Sequence, residues 1–180
     1  MNYLSIDCNA EIYEMTNYLI KEGHIKIVFL SDFADRPSVE QYKIAGYMRA
    51  IEDNDLKFSN IYVVGGGKHS KAYELGKTIV KDHKNFTAVV CSNDEIAIGI
   101  MDSFIDNGVK VPDDVSVVGF GNIREGKFVR PELTTVGEPY YDVGAVGMRM
   151  LIKTIKGDKT QRGLMELPFT IEKRSSVKSI

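Results

Sequence analysis

Two glycine-rich stretches hold the residue types that most directly suggest chemistry. They are Gly65, Gly66 and Gly67 ahead of Lys68, and Gly119 and Gly121 around Phe120. Such stretches let a backbone approach a phosphate, but neither completes a nucleotide-binding pattern. A dinucleotide fingerprint needs a third glycine at position 124, where Arg124 stands. A P-loop needs Ser or Thr directly after its lysine; His69 intervenes, and Tyr62 occupies the place of the first glycine. The triple glycine reads more simply as a tight strand-to-helix turn. His24, His69 and His83 fall in no metal-ligand spacing, so no metal and no cofactor are predicted. No G-x-S-x-G elbow is present. Cys91 sits at the end of a strand-like run, but nothing in the sequence supplies a base to activate it. These residues offer no positive support for an enzyme.

The totals point to a folded domain. A chain of 180 residues suits one or two domains, and 43% hydrophobic with 27% charged residues predicts a globular core. The net charge of -2, with no long Lys/Arg run, lacks the footprint of a nucleic-acid-binding surface. No apolar stretch approaches the ~20 residues that a membrane span needs. No basic segment followed by an apolar run marks a secretory signal. Cys8 and Cys91 lie in or beside apolar runs and read as reduced, buried thiols, which fits a cytoplasmic setting.

Strand and helix patterns alternate throughout. "YLSID" reads as a strand, followed by a helix capped at Asn9 with Ile12, Met15 and Leu19 on one face and Gly23 at its end. "IKIVFLS", "NIYVVGG", "FTAVVCS" and "VPDDVSVVGFG" read as further strands, and "LTTV" as a short extended piece. The helices between them carry Ile44, Tyr47, Met48 and Ile51, then Ala72, Leu75, Ile79 and Val80, then "DEIAIGIMDSFIDNG" behind a Ser92 or Asn93 cap. A helix with Val143, Val146, Met150 and Leu151 follows, and "LMELPFTIEKRSS" reads as one last strand. This alternation predicts an α/β fold with a doubly wound parallel sheet. Ligands in such sheets sit beyond the carboxyl ends of the strands, here the loops starting at Ser31, Gly65, Ser92 and Gly119.

Several segments, among them "AVVCSNDEIAIGIMDSFIDNGVKVPDDVSVVGFGN" and "RPELTTVGEPYYDVGAVGMRML", resemble the effector-binding core of LacI/GalR-family transcriptional regulators. The Ser-Asn-Asp helix start, the Val-Pro-Asp-Asp turn and the Arg-Pro-Glu-Leu-Thr-Thr stretch stand in the family's order and spacing, from about Tyr3 to the C-terminus. The resemblance implies a periplasmic-binding-protein-like fold: two α/β lobes joined by crossing strands, with a cleft between them. It assigns residues 1–23 and 137–163 to a partial N-lobe, and residues 24–136 and 164–180 to a complete C-lobe. It implies a fragment without the helix-turn-helix, so that DNA is bound only through parts absent from this sequence. Uncovered N-lobe faces are expected to pack against another copy of the chain, as a homodimer, or to be poorly ordered.

The resemblance also implies site residues for a small polar effector of the sugar or sugar phosphate class. Lys43 takes the place of a ligand-binding arginine, keeping the charge without the bidentate fork; otherwise it is a solvated lysine on a helix. Asn93 matches an asparagine that reaches the ligand, or is a plain helix cap. Gly67 lies where an aromatic side chain often stacks, and Gly121 where an aspartate grips the effector. Tyr140 matches a hinge-side aromatic, acting as a platform or as interlobe packing. Asp94 is expected only to complement its helix dipole. "YYDVGAVGMRML" resembles the helix with which one family member docks a phosphorylated phosphocarrier protein; Arg149 would meet the phosphoserine there, or is a surface charge.

Overall fold

A computed structural model of the chain describes residues 2–33, 39–66, 68–137, 139–157 and 163–180. The elements follow as β1 (Asn2–Ser5), α1 (Cys8–Lys21), β2 (Lys26–Ser31), α2 (Val39–Asp53), β3 (Phe58–Val63), α3 (His69–Ile79), β4 (Ala88–Cys91), α4 (Asp94–Asp106), β5 (Ser116–Phe120), β6 (Thr134–Gly137), α5 (Tyr140–Ile155), β7 (Gly163–Glu166) and β8 (Thr170–Glu172). Six strands form one sheet in the order β3-β2-β4-β5-β6-β8. All its pairs are parallel except β6 with β8.

The near-continuous apolar strands are buried on both faces, as a doubly wound sheet requires. Side chains alternate between two cores. Val28, Leu30, Val89, Cys91 and Val117 meet Ala72, Ile100 and Phe104 of α3 and α4. Ile27, Phe29, Val90, Val118 and Phe120 meet α1 and α2 on the other face. Phe29 stacks on Tyr47 with ring centroids 5.3 Å apart, and the Tyr47 hydroxyl donates to the Ile27 carbonyl at 2.8 Å. Among the described residues a second sheet holds β1 and β7, paired in parallel, with α5 against β1.

Three expectations need correcting. Helix α1 belongs with the six-stranded sheet: Ile12, Met15 and Leu19 are fully buried against Tyr47 and Ile51. Of residues 1–23, only β1 therefore sits in the smaller lobe, and Gly163–Glu166 joins it there although 164 onward was assigned to the larger lobe. An amphipathic stripe shows that a helix buries one face, but not which sheet receives it. The cap of α1 is Asp7, whose Oδ1 accepts from the backbone N–H groups of Asn9 and Ala10 at 3.0 and 3.1 Å. The final segment is two strands in different sheets, divided around Leu167, Pro168 and Phe169.

The chain thus crosses between the lobes three times: after Ser5, after Gly137, and between Glu166 and Thr170. The crossings lie side by side. The Leu167 N–H donates to the Ser5 carbonyl at 3.1 Å, and Gly137 pairs with Thr170.

Candidate binding cleft

The carboxyl ends of β2, β4 and β5 open into a cleft of about 810 Å³ between the lobes. That size suits a small ligand, for which pockets run to about 300–1,000 Å³. The large lobe contributes Asp32, Phe33, Lys43, Asn93, Glu95, Phe120 and Gly121 to its lining, and the small lobe contributes Tyr140. Sequence reasoning pointed to these loops but gave no ligand-facing role to Phe33 or Phe120, the aromatic groups on the large-lobe side.

Lys43 is not a solvated lysine. It is 7% exposed, and its Nζ donates to the Ser92 carbonyl at 2.7 Å. The same ammonium lies 3.8 Å from the centroid of the Phe120 ring and 3.7 Å from Glu40 Oε1. Glu40 is itself held, its Oε2 accepting from Ser31 Oγ at 2.8 Å and from the Asp32 N–H at 3.0 Å. The lysine charge is therefore balanced inside the wall by a carboxylate, a carbonyl and a ring face.

Asn93 caps α4, its Oδ1 accepting from the Ile96 N–H at 2.8 Å. Its amide nitrogen has no partner among the described residues and lines the cleft, so capping leaves a donor for a ligand. Gly121 forms part of the floor with φ +119°, a region that L side chains rarely adopt. A Cβ there would meet the Tyr140 hydroxyl at 3.9 Å and Asp94 Oδ2 and Ile123 Cγ2 at 4.0 Å, all ordinary contacts. The site has room for a side chain while its backbone disfavours one. Tyr140 opens α5, is 61% exposed and reaches this floor from the opposite lobe. Gly67 lies outside the described residues. Arg149 is exposed on α5, away from the cleft, beside an apolar groove shared with Ile152, Lys153 and Met165.

Asp94 does more than face the helix dipole. It is 1% exposed; Oδ1 accepts from Thr135 Oγ1 at 2.6 Å and Oδ2 from the Ile123 N–H at 2.8 Å. Burial pushes its pKa up, opposed by those hydrogen bonds and by Arg174. In sequence a helix-start aspartate gives no sign of burial. Cys91 is fully buried, and burial pushes its thiol well up, which opposes formation of a nucleophilic thiolate. No group of three or more His, Cys, Asp or Glu among the described residues could hold a metal ion, and no described helix is long and apolar enough to cross a membrane.

The signature of the periplasmic binding protein-like domain matches residues 16–177. Catabolite control protein A of Priestia megaterium is 33% identical over 176 residues, covering 97% of this chain and 53% of that protein. The HTH-type transcriptional repressor PurR of Vibrio campbellii is 34% identical over 169 residues, 93% of this chain and 50% of the repressor. The chain spans about half the length of these curated relatives. Among solved structures, a LacI family transcriptional regulator from Enterococcus faecium with bound ribose superposes with a TM-score of 0.87 at 22% identity, over 98% of this chain and 65% of that one; this likeness is one of fold. With the signature spanning most of its length, the chain belongs to the periplasmic binding protein-like family, and transcriptional regulators are similar to nearly all of it.

Proposed function

We propose that the chain senses a small, neutral, hydroxylated molecule held between its lobes, and so sets the state of a dimeric, DNA-binding regulator whose DNA-contacting part lies outside this sequence. The observation that carries the reading is the convergence of Asn93 and Phe120 from one lobe with Tyr140 from the other. A ligand that touches both sides binds one interlobe angle better than another, and so shifts the population of angles. The balanced charge of Lys43 favours neutral sugars over sugar phosphates. The neighbour that binds ribose makes ribose the first probe.

Thermal unfolding in the presence of ribose, glucose and their phosphates tests this on any protein that carries the chain. A ligand at 100 times its dissociation constant stabilises the folded state by about 2.7 kcal/mol. Neutral sugars should raise the midpoint, and Asn93→Ala should abolish the rise. A rise with the phosphates alone would overturn the neutral class. Gly121→Asp introduces the family's carboxylate at a backbone cost of about 1–3 kcal/mol; calorimetry should show tighter binding of neutral sugar despite a lower midpoint.

A second reading concerns α5. Arg149 and Lys153 stand one turn apart on its exposed face, beside exposed Met148 and Ile152. This pairing of cations with apolar groups suits a phosphorylated protein partner such as a phosphocarrier protein. A pull-down with the phosphorylated carrier should weaken with Arg149→Ala; undiminished capture would count against the arginine.

A further inference from the structure

We propose that Asp94 is the positioning residue of the cleft, a clamp that ties the ligand-facing start of α4 both to the floor loop and to the strand leading into the smaller lobe; the inference rests on the sensing role proposed above. Asp94 directly follows Asn93. Its two carboxylate oxygens reach different segments: Ile123 N–H at 2.8 Å in the floor loop and Thr135 Oγ1 at 2.6 Å on β6. Thr135 is fully buried, and its Oγ1 also accepts from the Asn122 N–H at 3.3 Å. Hydrogen bonds donated by the Ile123 and Asn122 N–H groups to Asp94 and Thr135 thus hold the residues just beyond Gly121, where Gly121 and Asn122 adopt φ values of +119° and +50°.

A second observation comes from the opposite direction. A Cβ on Gly119 would overlap Asp94 Oδ1, so β5 carries glycine where the carboxylate lies against it. A helix dipole alone returns only a modest stabilisation to a carboxylate at its N-terminus. This one is dehydrated, and charge-assisted hydrogen bonds at two sites offset the cost. Strand β6 runs on through Gly137 towards Tyr140. A movement of Asn93 is thereby passed through Asp94 to the base of the opposite wall, and the floor moves with it.

Amide hydrogen exchange and amide NMR shifts in the unliganded chain test the clamp, so the outcome is independent of whether any sugar binds. In Asp94→Ala the Ile123 amide should exchange at least tenfold faster, and the Tyr140 amide signal should shift, while amides of β2 and β4 keep their rates. Asp94→Asn should restore protection at Ile123, because its remaining oxygen still accepts. Thr135→Val, which keeps the shape of the side chain and is the test should Asp94→Ala fail to fold, should shift the Tyr140 signal but leave Ile123 protected. Uniform acceleration of all amides in Asp94→Ala, or an unmoved Tyr140 signal in Thr135→Val, would overturn the proposal and leave Asp94 as an ordinary contributor to stability.

Discussion

In the larger lobe Phe29, Tyr47 and Phe104 are 0% exposed, whereas α5 of the smaller lobe has no buried side chain and leaves Leu151 54% and Ile155 76% exposed. One lobe closes two cores around its own sheet; the other presents an apolar helix face outward. The cleft inherits this asymmetry. Lys43, Asn93 and Asp94 are locked by hydrogen bonds within the well-packed lobe. Tyr140 stands on an element whose outer face is of the kind that marks an interaction surface. The cleft therefore has one wall set by the core and another carried by a helix without a buried side chain.

Substitutions can break or sharpen this contrast. The largest effect is expected from Phe104→Ala, which empties the core between α3, α4 and the sheet; urea unfolding should show a loss of about 3–5 kcal/mol. A loss under about 1 kcal/mol would mean that the larger lobe is less tightly packed than it looks. Next, Lys43→Met removes the buried ammonium beside Glu40 together with the donor to the Ser92 carbonyl, and should cost about 3 kcal/mol. Adding Glu40→Gln to that variant should recover part of the loss, measurable as a double-mutant cycle.

His24 gives a smaller, pH-dependent effect. It is buried, with Nε2 against the Lys178 carbonyl at 3.1 Å and Nδ1 against Thr87 Oγ1 at 2.9 Å, and so secures the C-terminal segment to the larger lobe. Burial lowers its pKa below the ordinary 6.5, opposed by the Lys178 carbonyl and by Glu22. With the folded value depressed, the unfolded chain takes up its proton first as pH falls. The stability from His24 is thus complete above pH 6.5 and lost progressively as pH drops through the folded value. His24→Gln should cost about 1 kcal/mol at neutral pH and flatten the acid slope of the unfolding midpoint. The smallest effect is expected from Ile155→Ser, within about 0.5 kcal/mol, because that side chain is 76% exposed. Sedimentation should show weaker self-association in this variant if α5 meets a second copy.

Much of the fold was legible in the sequence because the apolar runs and turn residues are local signals. Gly23, Gly108 and Gly157 end their helices with positive φ, and Asn93 caps α4 as its position suggested. The allocation of α1 was not legible, since Ile12, Met15 and Leu19 fit either sheet equally well. The division of the final segment was missed because both halves alternate like one strand. The loops that line the cleft could be read from the ends of the strands, but their electrostatics could not. A lysine on a helix and an aspartate at a helix start look solvated in sequence, and only the tertiary arrangement brings Glu40, Ser92 and Phe120 to Lys43, and Thr135 and Ile123 to Asp94.

The three neighbouring crossings also limit how the lobes can move. Connectors that run abreast, tied by the Leu167–Ser5 hydrogen bond and the pairing of Gly137 with Thr170, behave like a leaf spring. Flexing across the ribbon needs only small backbone rotations, whereas sliding or twisting one lobe past the other breaks ties between the connectors. The side-by-side crossings thus favour changes in the separation of Asn93 and Tyr140 over sliding of one wall past the other.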